Sequence, residues 1–233
     1  MTLDRSMNVN GKTPVLLSWS GGKDCTLALY ELLCHTDSYA VVALLATITR
    51  DYDRLSMHGV RRSLIERQAA SLELKLDCAM IPKEASNRAY EEAMRERLHV
   101  WRERGVRTVA FGDLFLEDVR AYRERMLAAL DMQGLFPLWA RDTRQCAARF
   151  LALGFRAAVV CVDGRRLDQS FAGRFYDADF VRDLPPDVDP CGENGEFHTF
   201  VFAGPIFRRP IEVEFGEKVR RGDFVFCDLV ERP

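Results

Sequence analysis

Two apolar runs near the start of the chain, VLLSWS at 15–20 and YAVVALLATI at 39–48, contain almost no charged or amide side chain, and they enclose a stretch of helical periodicity at 23–34. A strand wetted on one face alternates apolar and polar residues. A run that is apolar throughout belongs to a strand covered on both faces, which is the environment of a parallel sheet. CAMIP (78–82) and TVAFGD (108–113) repeat the pattern, and 59–74 and 87–104 between them again show helical spacing. In the latter, Tyr90, Met94, Leu98 and Trp101 form one stripe while Glu91, Glu92, Arg95, Arg102 and Glu103 face away. This β-α-β-α order predicts a doubly wound, Rossmann-like α/β fold with a parallel sheet, helices on both faces and ligands at the C-terminal ends of the strands.

The pattern then changes. A helix is expected from about 116 to 132, closed by Gly134, then a shorter one at 144–153 capped by Gly154, and a strand at 156–162. The polar stretch 163–190, ending in DLPPDVDP, reads as an irregular loop. HTFVFAGPIF, PIEVEFGEKV and GDFVFCDLV alternate and carry Gly and Pro punctuation, as antiparallel strands do. The chain therefore divides near residue 134 into a doubly wound part, residues 1–134, and a smaller C-terminal α+β part, residues 135–233.

Composition excludes several function classes. The 33 Lys and Arg against 35 Asp and Glu give a net charge of −2, too little to draw in a nucleic-acid backbone or an anionic membrane. The longest apolar run is about half the ~20 residues a membrane-spanning helix needs, and MTLDRSMNVN has no apolar signal region, so a cytoplasmic protein is expected. The seven Cys form no C-x-x-C pair and the four His no H-x-x-x-H pair, which argues against a disulfide framework, a zinc site and a helix-borne metal site.

The sharpest local signal is Ser18-Trp19-Ser20-Gly21-Gly22-Lys23-Asp24-Cys25, where the first strand gives way to a helix. Two glycines let the backbone turn tightly and approach a ligand. The free N–H groups of a helix start favour an anion, and Lys23, on a crevice loop outside the core, adds a positive charge. A phosphate is the natural guest. Leu17 and Asp24 stand where a Walker A loop needs Gly and Ser or Thr, so this is a different loop.

The second signal is Cys191-Gly192-Glu193-Asn194-Gly195-Glu196-Phe197-His198-Thr199-Phe200. Asn-Gly is a favoured type I′ turn, so a plain hairpin is one reading. In the other, Glu193 and Glu196 hold ammonium, magnesium or a cationic acceptor. Three further positions fall at the expected crevice. His58 contacts phosphate or acceptor, or is a surface residue at a helix start; Asp113, after Gly112, binds magnesium or orients the acceptor, or caps the next helix; Trp139 belongs to an acceptor pocket or to the core. Arg120, Arg123 and Arg125 read as a solvated helix face, and Cys191 has no His at a spacing that would activate it as a nucleophile.

The first motif resembles the PP-loop of the N-type ATP pyrophosphatases, with Cys25 where that pattern has Ser or Thr. Together with Gly112-Asp113, Pro137-Leu138-Trp139 and CGENGEFHTF, it resembles the diphthine-ammonia ligase family over about residues 14–210. The resemblance implies an ATP-dependent, AMP-forming amide ligase that adenylates an acceptor carboxylate and transfers ammonia or an amine, with residues 1–134 as its PP-loop nucleotide-binding domain and 135–233 as its acceptor-binding domain. Ser18, Ser20, Gly21, Gly22, Lys23, Asp24, Cys25, His58, Gly112 and Asp113 would bind ATP, with magnesium at Asp24 and Asp113. Gly192, Glu193, Asn194, Glu196 and Trp139 would meet the acceptor, and Lys23, Glu193 and Glu196 would carry the chemistry. Its acceptor is a small-molecule or protein-borne carboxylate; the 28 Arg against 5 Lys suggest a GC-rich bacterial genome, hence an acceptor other than diphthine. Two readings stay open beside it: a PP-loop enzyme that adenylates tRNA, and a non-catalytic adenine-nucleotide-binding protein.

Overall fold

In a computed structural model, which describes residues 11–35 and 37–232, the first apolar run becomes β1 (Thr13–Ser18), followed by α1 (Lys23–Cys34) and β2 (Tyr39–Thr49). The sheet continues through β3 (Arg54–Leu55), α2 (Arg62–Ser71), β4 (Leu76–Ile81), α3 (Asn87–Glu103), β5 (Thr108–Ala110), α4 (Glu117–Ala128) and β6 (Gln133–Leu135). Strands β4, β2, β1, β5 and β6 lie side by side in that order, all parallel, and the two-residue β3 pairs antiparallel with the end of β2. The chain builds outward from β1 in one direction, then crosses to its other side with β5. The switch point of this doubly wound sheet therefore lies between the C-terminal ends of β1 and β5.

Both faces are covered, which is why these strands are apolar throughout. Val15, Leu17, Leu44, Ala46 and Ile48 pack on Leu29 and Leu32 of α1 and Leu64 and Ile65 of α2. Leu16, Ala43, Leu45 and Val109 face the other way, onto Met94, Leu98 and Trp101 of α3 and Leu127 of α4. Ser86 caps α3 by accepting the Ala89 amide at 3.3 Å.

The rest of the chain forms α5 (Thr143–Ala152), β7 (Arg156–Asp163), β8 (Phe175–Tyr176), α6 (Ala178–Asp183), β9 (Phe197–Ala203), β10 (Val213–Arg221) and β11 (Phe224–Glu231). In this second, antiparallel sheet β7 pairs with β8, β9 and β11, and β10 with β11. It packs over the layer of α1 and α2: Phe200, Phe202 and Leu229 join the cluster under β1, while Leu27 and Ala28 of α1 join Phe150, Phe155 and Val159. Helix α1 is thus enclosed from two sides, and its one buried acid, Glu31, is held by Arg141 at 3.0 Å and Arg149 at 2.8 Å. Among the described residues no helix is long and apolar enough to cross a membrane.

Several expectations are corrected. Helix α4 ends at Ala128 and its last turn is released by Asp131 at positive φ; Gly134 lies inside β6 rather than closing a helix. The 163–190 stretch holds β8 and α6, the latter capped by Asp177 on the Phe180 amide at 2.8 Å. Trp139 sits half-buried in a turn after β6 rather than in the core, with the Arg120 guanidinium over its ring.

Candidate active site

The chain leaves β1 through Trp19, whose amide still bonds Leu45 O at 2.8 Å, and turns at Gly21 with φ +67°. Only glycine serves here, since a Cβ would also lie 2.6 Å from Gln68 Oε1. Gly22 begins α1 with no side-chain cap. Of the first-turn amides, Thr26 donates to Gly22 O at 3.1 Å and Lys23 to the Thr199 hydroxyl at 3.0 Å, which leaves those of Asp24 and Cys25 without a protein acceptor among the described residues. Unused amides and the positive helix end together invite an anion.

Gln68 fixes this turn. Its amide accepts from Trp19 Nε1 at 3.0 Å and donates to Gly21 O at 2.9 Å and Val201 O at 2.6 Å, joining the loop, α2 and β9. Gly112, two residues past β5, permits another close approach: a Cβ there would stand 2.7 Å from the Cys25 amide nitrogen.

A cavity of about 320 Å³ opens at this switch point. The structure brings to it Ser18, Ser20, Gly22, Lys23, Asp24 and Cys25 of the loop, His58, Gly112, Asp113, and Gly192 and Glu193 of the second motif. It does not bring Gly21, Trp139, Asn194 or Glu196 among the lining residues. Glu196, 1% exposed, turns into its own loop and accepts from the Asp189 amide at 3.2 Å, the Asn194 amide at 3.0 Å and Asn194 Nδ2 at 2.9 Å. The segment is no hairpin, since no strand pairs with β9 across it and Asn194 lacks the positive φ of a type I′ turn.

Lys23 departs from the picture of an open crevice lysine. It is 3% exposed, its ammonium paired with Asp24 at 2.8 Å and donating to Cys191 O, above the rings of Phe197 and Tyr176. Burial works against its charge, but Asp24, Cys191 and Glu193 outweigh it and raise its pKa. Cys25 remains a thiol, raised by burial, accepting from Ser20 Oγ at 3.3 Å and donating to Gly22 O at 3.2 Å. Cys191 is raised by burial too and bonds Thr143 O at 3.3 Å, which agrees with no nucleophilic role.

Glu193 stands across the cavity from the loop. Its Oε1 accepts the Leu114 amide at 2.7 Å, and burial, with Asp24 and Asp113 nearby, pushes its carboxyl up to about 7. His58 and His198 stack with ring centroids 4.3 Å apart. Burial holds both imidazoles neutral, His198 at about 4 and His58 well below its ordinary value.

Asp113 is not a helix cap, because α4 starts at Glu117 behind Leu116. Arg123, expected on a solvated face, instead pairs with Asp113 at 2.6 Å over the Phe111 ring at 4.4 Å. This bears on magnesium. Asp24 and Asp113 each already face a cation, and no cluster of three His, Cys, Asp or Glu able to hold a metal occurs among the described residues. These side chains do not fit a protein-built magnesium site.

Sequence reasoning passed over Gln68, His198 and Thr199 and read Arg123 as solvated. Gln68 had left a signal: Leu64, Ile65, Gln68 and Ala69 form one helical stripe, with an amide where an apolar residue is due. His198 and Thr199 lay within the second motif, in the shadow of its two glutamates.

A doubly wound parallel sheet whose first strand ends in a glycine turn and an uncapped helix, roofed by a smaller antiparallel sheet, is the fold of the PP-loop ATPases. Within that class, a family model described as the diphthamide synthase N-terminal domain matches residues 11–134, and one described as the diphthamide synthase C-terminal domain matches residues 142–232. The chain belongs to the diphthamide synthase family, a family of ligases. A diphthine–ammonia ligase of Danio rerio is 27% identical over 136 residues, 56% of this chain and 53% of that protein. The chain thus spans about half the length of the curated relative it matches.

Proposed function

We propose that this chain is a cytoplasmic ATP-dependent ligase that forms AMP, adenylating an acceptor carboxylate and passing it to ammonia or an amine. The observation that carries this reading is the uncapped start of α1 facing Glu193 across one cavity at the switch point. The free amides of Asp24 and Cys25, with Lys23, are suited to the charge of the leaving pyrophosphate. An acceptor carboxylate oxygen attacks the α-phosphorus, and the bond from that phosphorus to the bridging oxygen of pyrophosphate breaks. Ammonia then attacks the acyl carbon of the adenylate; the bond to the AMP oxygen breaks, and the proton lost by nitrogen goes to a base.

Glu193 is suited to be that base. A carboxyl near 7 accepts a proton from an attacking amine far better than an ordinary carboxylate, and its anion attracts the ammonium form of the donor. Kinship with a diphthine–ammonia ligase supports the same reaction class. The test is incubation with ATP, magnesium, ammonium and a panel of organic carboxylates, with nucleotides resolved by chromatography. AMP and pyrophosphate appearing only when acceptor is present is the expected result, and ADP as the sole product would overturn the reading.

A further inference from the structure

A second cavity, of about 520 Å³, lies beside the first, between the β3–α2 turn and the hairpin of β10 and β11. Leu55 and Met57 line both cavities. The turn carrying them is pinned from each side: His58 stacks on His198 toward the phosphate loop, while Gly59 packs so close to Phe226 that a Cβ would lie 2.7 Å from its ring. Arg54 at 2.7 Å and Arg61 at 2.5 Å both grip Asp228 of β11. Burial would raise the Asp228 carboxyl, but the two arginines hold it down at about 2, so this clamp stays ionised. The two cavities therefore adjoin across a single turn, with Leu55 and Met57 facing both.

The lining of the second cavity has a definite chemistry. Tyr52, Leu55, Val219, Phe224 and Phe226 give it apolar and aromatic walls. Its charges are Arg54, Arg61 and Arg221 against Asp228 and Glu217, an excess of one positive. Asp228 is engaged by the first two, and Arg221 forms no ion pair among the described residues, lying instead 4.8 Å from the Tyr52 ring centroid. The volume falls in the range that encloses a small organic molecule. None of these residues belongs to either motif that marked the phosphate-loop cavity.

We propose that this second cavity binds the acceptor, a small organic acid with a flat apolar body, and presents it over Leu55 and Met57 to the nucleotide. The proposal rests on the ligase reading, since it is the adjoining nucleotide that makes this ligand an acceptor. Aromatic walls account for the body, and the exposed, uncompensated charge of Arg221 for drawing an acid in from solvent. Because Leu55 and Met57 line both cavities, an acid held in the second lies next to the nucleotide of the proposed reaction.

Two variants at exposed positions test it: Val219→Trp, which fills the cavity, and Arg221→Glu, which reverses its free charge. The probe is 8-anilino-1-naphthalenesulfonate, read by fluorescence and displaced by 3-phenylpropanoate, with 3-phenylpropanamide as the uncharged control. Wild type should bind one probe per chain, released by the acid and poorly by the amide. Val219→Trp should abolish binding, Arg221→Glu should weaken the acid about tenfold, and both should bind α,β-methylene-ATP as wild type does by calorimetry. Wild-type probe affinity in both variants, equal competition by the amide, or displacement of the probe by α,β-methylene-ATP would each overturn the proposal. Failure of wild type to bind α,β-methylene-ATP would strike the ligase reading instead and with it the acceptor role, while the variants would still locate the bound acid.

Discussion

Glu193 accepts the Leu114 amide at 2.7 Å, so a carboxylate from the loop before β9 is fastened to the end of β5, 79 residues earlier in the chain. The bond joins the segment that roofs the cavity to the sheet that floors it. It also leaves a carboxyl in a place where burial favours its neutral form, near neutral pH.

That placement gives stability a pH dependence of known sign. Glu193 is raised in the fold, so the stability its protonated form contributes is full below the ordinary carboxylate pKa and is lost as pH rises through about 7. His198, lowered to about 4, and His58, also lowered, act in the opposite sense: their contribution is full above about 6.5 and is lost as pH falls toward 4. Glu193→Gln should therefore melt close to wild type at pH 4.5 and above it at pH 8, by on the order of 2 kcal/mol. Melting curves across that range check it; a constant difference would mean Glu193 is not shifted. Acceptor-dependent AMP release, where measurable, should rise with pH through about 7 in wild type and vanish in the variant.

Glu196→Gln should behave differently although it lies three residues on. Glu196 accepts three hydrogen bonds from Asp189 and Asn194 inside its loop, and an amide must aim its NH2 at one of those donors. The expected cost is about 2 kcal/mol in stability with nucleotide affinity unchanged. Differential scanning calorimetry and titration with α,β-methylene-ATP read the two quantities. A variant of normal stability that had lost turnover would put Glu196 on the ligand after all.

The contrast between these two glutamates shows how far the sequence could be read. Spacing and periodicity identified β1, β2, β4 and β5 of the parallel sheet, because burial on both faces leaves an unbroken apolar run, but missed the three-residue β6, and Gly21-Gly22 located the turn into α1 by the backbone it permits. The direction in which a side chain points within an irregular loop depends on partners far away in sequence. Glu193 meets Leu114, Lys23 meets Cys191, and Arg123 turns from solvent to Asp113, none of which local pattern encodes. Gly112 and Gln68 are of the same kind: one is needed because α1 passes within contact distance of β5, the other because three segments converge on a single amide.

Cys25→Ser should be tolerated. The Cys25 thiol donates to Gly22 O and accepts from Ser20 Oγ, and a hydroxyl can do both at little change in volume, with a stronger donor. Stability should stay within about 1 kcal/mol of wild type, and affinity for α,β-methylene-ATP should be equal or higher. A large loss of affinity would show that sulfur packing against the core, rather than donor strength, sets the position of the loop.

Lys23 is both the cation of the glycine loop and a strut of the roof, so separating charge from packing needs two variants. Lys23→Ala removes the ammonium from Asp24 and from Cys191 O and empties the space over Phe197 and Tyr176. Breaking a buried pair in this way costs about 3 kcal/mol, so reduced nucleotide binding by that variant alone could come from a loosened loop. Lys23→Met keeps the apolar stem and most of the packing while removing the charge. It should melt between Lys23→Ala and wild type, yet lose roughly ten- to a hundredfold in affinity for α,β-methylene-ATP, the value of a charge-assisted contact. Calorimetric titration beside a melting curve separates the two effects. If Lys23→Met is folded and binds the nucleotide as tightly as wild type, Lys23 serves only to hold Cys191 over the cavity, and the anion is held by the amides of Asp24 and Cys25 alone.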